Sequence, residues 1–226
     1  MAVLTISRQM GSDGAKIAHE TARALGYKLA DKELLAHILG EYGLVEFSSE
    51  YEGVIGFWDY FDKRMNSLVA VLNKAILAIG AVDDVVIVGR GAFALFRGYE
   101  DVVNARLQAP FSVRVKRVAE RDGIEDFVKA AELVKRGDKA RGSFIEKVYG
   151  LGWNEADAFD LVLDTNVIGA ETAVSWLAEA VEGARKRPKA GGPRVSDLVV
   201  DPVMADAVRS AFAAVAGGQA PSSAGG

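Results

Sequence analysis

The sequence predicts an α/β fold: a mostly parallel sheet of about five strands with helices on both faces. Three observations predict it. Short apolar runs alternate with helical patterns along the chain, which implies right-handed crossovers onto a parallel sheet. The first apolar run opens through a glycine-containing turn directly into an amphipathic helix. The chain has 226 residues, half of them hydrophobic, enough for one large core.

Ala2–Ser7 is the first predicted strand, followed by a helix over Lys16–Leu25 with Ile17, Ala18, Thr21, Ala22 and Leu25 on one face and a stop at Gly26. Tyr27–Leu29 is a weaker strand, and Asp31 stands as helix N-cap before Lys32–Leu39. A helix over Lys63–Ile79 leads to Val85–Val88, an unbroken aliphatic run that reads as a buried strand. A fourth strand over Asn104–Ala109 precedes Pro110 and helices over Phe111–Arg121 and Ile124–Lys135. The polar stretch Lys135–Arg141 is expected between helices, then a strand over Asp160–Asp164 and a helix over Ala170–Ala184. No internal repeat is visible.

The core domain is expected to span 1–182. A basic Gly/Pro linker, 183–200, is read as a solvated tether. Asp201-Pro202 then starts a short helix, 201–216, with Met204, Val208, Ala211, Phe212 and Val215 on one face. The Gly-, Ala- and Ser-rich tail, 217–226, is expected to be disordered.

The net charge of −4 and a pI of about 5.4 argue against a general nucleic-acid or anionic-membrane binder. The absence of cysteine excludes disulfides, thiolate metal sites and a cysteine nucleophile. The two histidines, His19 and His37, lie at helical spacing among alanines and leucines and are read as structural. No signal peptide and no membrane-spanning run are visible, so a cytoplasmic location is expected. Nucleotides are the expected partners; the oligomeric state is open.

The strand–glycine loop–helix build at Ile6-Ser-Arg-Gln-Met-Gly-Ser-Asp-Gly14 is that of a phosphate-binding loop, where backbone N–H groups and a helix N-terminus hold an anion. It departs from G-x-x-x-x-G-K-[ST]: Ala15 follows Gly14, Lys16 comes one place late, and Ile17 supplies no hydroxyl. A tight strand–helix turn without ligand is the plain alternative. A dinucleotide-binding loop is the weaker choice: Gly11 and Gly14 leave G-x-G-x-x-G one glycine short, although Asp31 lies near the acid spacing it wants.

Six segments, taken in order, resemble the cytidylate kinase-like proteins, a branch of the P-loop nucleoside monophosphate kinases. They are the loop above, Asp31-Lys-Glu-Leu-Leu35, Val86-Ile-Val-Gly-Arg-Gly-Ala92, Ala105-Arg-Leu-Gln-Ala-Pro110, Arg136-Gly-Asp-Lys-Ala-Arg141 and Asp160-Leu-Val-Leu-Asp-Thr165. The resemblance covers roughly residues 3–182. It implies a P-loop NTPase-type sheet with a helical lid, ATP and Mg²⁺ as cofactors, and transfer of a phosphoryl group to a pyrimidine monophosphate of CMP or dCMP type. It also implies the site. Arg8, Gly11, Ser12, Asp13, Gly14 and Lys16 would hold the donor phosphates, with Ser12 toward Mg²⁺ and Lys16 as the replacement cation. Asp31, Arg64 and Arg90 would border the acceptor, and Lys16, Arg136 and Arg141 would stabilise the moving phosphoryl group.

Each residue has a plainer reading beside it. Asp13 is awkward beside triphosphate unless a cation offsets it. Lys16 could point to solvent, or pair with Asp13 or Glu20. Asp31 is foremost a helix cap. Arg90, between two glycines after a buried strand, is hard to explain by packing and offers a planar fork suited to phosphate. The family places an acid after that Arg, where this chain has Gly91. The run from Arg136 to Arg141 would read as a solvated charged helix without the resemblance. Arg114, Arg117 and Arg121 are expected on a solvated face with Glu120 and Asp122 as partners, and Arg106 either buried and paired or lining the site. The Phe57–Phe61 aromatic cluster is read first as core. The chief rival function is a catalytically impaired nucleotide-binding regulatory protein on the same fold; a scaffold with a decayed site is the third.

Overall fold

A computed structural model describes residues 1–41, 63–82 and 84–216. Five strands form one parallel sheet: β1 (Val3–Arg8), β2 (Lys28–Ala30), β3 (Val85–Val88), β4 (Val102–Gln108) and β5 (Leu161–Asp164), in the order β2-β3-β1-β4-β5. All four pairings are parallel, with Thr5 level with Ile87 on one side and Asn104 on the other. The helices are α1 (Gly14–Leu25), α2 (Lys32–Glu41), α3 (Lys63–Val82), α4 (Ala92–Leu95), α5 (Phe111–Asp122), α6 (Phe127–Tyr149), α7 (Ala170–Lys186) and α8 (Pro202–Ala216).

Each expected strand is present: β3, β1 and β4 lie between neighbours, and β2 and β5 form the edges. The period of two along β1 divides the interior. Leu4 and Ile6 face Ile17, Ala18, Leu177 and Val181 of α1 and α7. Val3 faces the core built with Ile38, Ile76 and Phe93. On that second face, toward the strands' carboxyl ends, the buried side chains turn polar. Thr5 donates to Asn104 across the β1–β4 pair, and the Trp153 indole N–H donates to Ser7. Strand β1 is central, and the chain leaves it on one side for β2 and β3 and on the other for β4 and β5. Such a switch point opens a crevice beyond the strand's carboxyl end, and the glycine loop stands there.

Two expectations change. The break expected after Lys135 is absent: α6 is one helix of 23 residues, so Lys135–Arg141 lies in its middle. Nothing in the stretch forbids helix, since Gly137 weakens it without breaking the hydrogen-bond ladder, and both ends are secured. Asp126 accepts from the N–H groups of Val128 and Lys129, and Gly150 closes the C-terminus.

The stretch after Glu182 is the second. Helix α7 continues to Lys186 with Ala184 buried. The segment beyond it is no free tether. Glu100 accepts from the N–H groups of Ala190 and Gly192 and pairs with Arg194, and buried Asp101 accepts from the Val195 N–H. Helix α8 then buries Met204, Val208, Ala211 and Phe212 in the core shared with α2 and α3. The Phe57–Phe61 cluster, the side chain of Arg64 and the tail 217–226 lie outside the described residues.

Candidate functional site

Strand β1 ends at Arg8, and the chain turns through Gln9–Asp13 into α1. Two residues of the turn take left-handed backbone angles. Gly11 does so at φ +80°, where a Cβ would lie 2.6 Å from the Arg114 carbonyl oxygen, so glycine is required on both counts. Asp13 does so at φ 56°, a conformation a side chain adopts only at a cost. As N-cap of α1, Asp13 makes no side-chain capping bond. The first-turn N–H groups of a helix have no partner within it, so this end is open to an anion.

Asp13 does not pair with Lys16. Its carboxylate lies 3.2 Å from Nε of Arg117, which also donates to the hydroxyl and carbonyl oxygens of Thr165 after β5. Arg114, only 5% exposed, donates to the carbonyls of Ala109 and Met10 and pairs with Asp138 at 2.5 Å. Asp138 in turn accepts from the Met10 N–H. Arg114 and Arg117 therefore face the loop rather than solvent, since a period of three places both on the inward side of α5. Arg121 does pair with Asp122, and Lys116 with Glu120.

Ser12 is 0% exposed and its hydroxyl donates to the Gln9 carbonyl at 2.9 Å. It closes the turn, and burial removes it from the expected position toward Mg²⁺. Among the described residues, no group of three or more His, Asp or Glu side chains could hold a metal ion. Lys16 is exposed and lines a crevice of about 460 Å³ with Glu20, Arg23 and the start of α7 at Gly169–Thr172. It stands on the α7 flank of α1, and an anion at the loop would have to draw it around the first turn.

The second half of the site follows β3. Gly89, Arg90 and Gly91 have φ of 76°, 58° and 75°, three successive left-handed residues. Arg90 and Asp13 are the only non-glycine residues with positive φ among those described. Strain of this kind is sustained only where neighbours over-determine it, and it gathers at functional turns. The turn is fastened by the Gly89 N–H donating to Ile6 and the Ala92 N–H donating to Gly89. The Arg8 guanidinium lies where a side chain on Gly89 would stand, so the end of β1 and the Arg90 turn are in contact. The ring of Tyr149 occupies the space a side chain on Gly91 would need, with its Cζ 2.7 Å from such a Cβ. A side chain at position 91 would have to displace that ring.

The remaining expected residues divide. Asp31 caps α2, accepting from the Leu34 N–H at 3.0 Å; burial raises its carboxyl pKa, an effect that this hydrogen bond partly opposes. Arg141 lies on the loop side of α6, its guanidinium 3.0 Å from where a Cβ on Gly137 would be, and Met10 abuts the same point. Arg136 is exposed. At 100° per residue the two are 140° apart around one unbroken helix, so they do not converge on one anion as expected. Arg106 is 2% exposed; it donates to the Trp153 carbonyl and the Asn154 side chain and lies 4.5 Å from the Trp153 ring. Burial lowers its pKa, and it underpins the sheet from within. Sequence reasoning missed Tyr149 and Asn73, whose side chains meet at 2.8 Å beside Arg90. The sequence's helical pattern is legible only to Lys135, so Tyr149 carries no signal in it.

A model of the Cytidylate kinase-like family matches residues 3–167 of this chain, a span holding both the Gly11–Gly14 loop and the Arg90 turn. The chain belongs to that family. Among curated relatives of this cytidylate kinase-like chain, the cytidylate kinase of Pyrobaculum aerophilum is 32% identical over 176 residues, which cover 77% of this chain and 89% of the relative. That of Pyrobaculum neutrophilum is 32% identical over 177 residues, with the same coverage. Among solved structures, an uncharacterized protein from Eubacterium ventriosum shares the fold at a TM-score of 0.59 and 21% identity, covering 80% of this chain and 99% of its own. A Thermus thermophilus protein shares it at 0.51 and 20%, covering 83% and 98%. Helices α7 and α8 lie beyond the family match.

Proposed function

We propose that this chain is a nucleoside monophosphate kinase that transfers the γ-phosphoryl group of ATP to a pyrimidine monophosphate, CMP or dCMP. One observation carries the reading: an uncapped helix N-terminus after β1 and a strained arginine turn after β3 stand side by side at the switch point of a parallel sheet. One suits a donor phosphate, the other an acceptor phosphate. Transfer of a phosphoryl group asks a protein chiefly for positioning and charge neutralisation.

The loop N–H groups and Arg8 bind and orient the donor. Arg90 holds the acceptor phosphate through its planar fork. Arg141, on the loop side of α6, neutralises charge on the group in flight. Arg136 and Lys16 reach the site only by moving. The open helix end fits ATP. Mg²⁺ has no ligand in Ser12 and would be carried by the nucleotide phosphates and water, where it supplies charge neutralisation. The cytosol is the compartment that supplies these nucleotides. Residues 1–186 form the kinase unit, and 187–216 are proposed as its brace.

A second reading, nucleotide binding without transfer, is favoured by Lys16. Its side chain lies in the crevice with Glu20 and Arg23, while Ala15 holds the place of the loop's usual cation. Calorimetry with ATP and with CMP, dCMP and UMP, followed by a coupled assay for ADP, decides between them. Binding of both substrates with turnover is the expected result. Binding without turnover selects the regulatory reading, and no binding leaves a scaffold.

A further inference from the structure

We propose that Tyr149, with Asn73, is a positioning residue for the acceptor site: its ring, fixed by the bond from its hydroxyl to Asn73, holds the Arg90 turn and ties it to the phosphate loop along α6. The inference rests on the reading that this turn receives the acceptor phosphate. Tyr149 is the last residue of α6. Its hydroxyl donates to Oδ1 of Asn73 on α3 at 2.8 Å and lies 3.4 Å from the Arg90 carbonyl oxygen. The Tyr149 ring lies against Gly91 and meets Phe144 edge-on at 5.8 Å. Three elements thus converge on one side chain: the end of α6, the middle of α3 and a strained turn.

The turn needs such a contact. A single left-handed non-glycine residue is disfavoured, and here it is flanked by two more left-handed residues rather than by regular structure. Glycines permit the conformation without selecting it. The Gly91–ring contact selects it by excluding other paths, and the bond from the hydroxyl to Asn73 keeps the ring in that place. Asn73 fixes the ring in turn, since its Oδ1 sets where the hydroxyl points.

The middle of the same helix serves the donor. Asp138 accepts from the Met10 N–H and pairs with Arg114, while Gly137 lets Met10 of the loop approach the helix. Asp138 and Tyr149 are eleven positions apart, about 16 Å along an unbroken helix. A rod in contact with both phosphate sites fixes their separation, and separation is what in-line transfer demands.

Tyr149→Phe keeps the ring and removes the hydroxyl; Asn73→Ala removes its partner. Loss of one neutral hydrogen bond corresponds to about a three- to tenfold change in an equilibrium constant. By calorimetry, each variant is expected to bind CMP about three- to tenfold more weakly, with ATP affinity unchanged and the thermal midpoint lowered by only a few degrees. The double variant should be no weaker than the worse single one, since both act through one contact. Equal CMP affinity in Tyr149→Phe and the parent overturns the proposal. So does a fall in ATP affinity and thermal midpoint together, which marks a purely structural role. Arg90→Ala, measured alongside, separates the two layers. If it loses CMP while Tyr149→Phe does not, only the positioning role fails. If it binds CMP like the parent, or the parent binds none, the acceptor reading fails and the positioning role with it.

Discussion

At the scale of single residues, the site is organised by charges that the sequence leaves unpaired. Asp13 looked like a carboxylate obstructing a phosphate loop, with Lys16 as the nearest cation in the chain. The cation that meets it is Arg117, about a hundred positions away in sequence and brought there by the β1–β4 pairing. The helical spacing of Arg114 and Arg117 was legible; which side of α5 would be covered was not, because a polar face turned toward a polar loop looks like one turned toward water. Asp13 also carries a backbone cost at φ 56°. Asp13→Gly removes that cost along with the ion pair, whereas Asp13→Ala keeps the cost and loses the pair. In urea unfolding, the alanine variant is expected to be less stable than the glycine variant by about 1 kcal/mol. Equal stabilities would mean that the turn relaxes when the carboxylate is gone. Arg90→Ala, at the other strained position, should weaken monophosphate binding by about 1.5–3 kcal/mol, the range for a charge-assisted hydrogen bond, with folding nearly unchanged. Calorimetry with CMP measures it.

At the scale of elements, the strands were the most legible part of the chain and α6 the least. An aliphatic run such as Val85–Val88 can only be buried, and a sheet with helices on both faces buries it. The middle of α6 gives no such signal. Arg136, Asp138, Lys139 and Arg141 have the composition of a loop, and Gly137 a breaker's reputation, yet the helix runs on because tertiary contacts outweigh propensity. Asp138 shows the contact that matters. It joins α6 to α5 through Arg114 and to the β1–α1 loop through the Met10 N–H. Asp138→Ala leaves the buried Arg114 guanidinium without its carboxylate and the Met10 N–H without its acceptor. Removing one partner of a buried pair costs about 3–5 kcal/mol; Asp138 keeps some exposure, so the lower end is expected. Denaturation should register that loss, and ATP affinity should fall with it because the loop loses a support. A variant as stable as the parent would show that the Arg114 bonds to Ala109 and Met10 suffice.

At the scale of the whole molecule, the chain closes on itself after α7. The start of α8 was legible at Asp201-Pro202, and so was its apolar face; where that face docks was not, because an amphipathic stripe does not name its partner. It docks on α2 and α3, the helices leading into and away from residues 42–62, and Phe212 also lies under the Lys28 ammonium at 4.8 Å. Phe212→Ala is expected to cost about 3–5 kcal/mol, as for other buried aromatic truncations, which a helix on a free tether would not show. The segment between α7 and α8 is held chiefly by Glu100 and Asp101 at the start of β4. The N–H groups of Ala190 and then Gly192 hold the Glu100 carboxyl below its ordinary value of 4.5, with Arg194 adding to them. A carboxylate whose folded pKa is depressed contributes its full stabilisation above the unfolded value and loses it as pH falls through the folded one. The fastening is therefore complete at neutral pH and weakens below about pH 4.5. Limited proteolysis across this range should cut 187–200 progressively faster on acidification, before the sheet unfolds. Glu100→Gln, which cannot carry the charge, should show the fast cleavage already at pH 7. Cleavage that stays slow in Glu100→Gln, or that accelerates only with global unfolding, would move the fastening to Asp101 and the packing of α8.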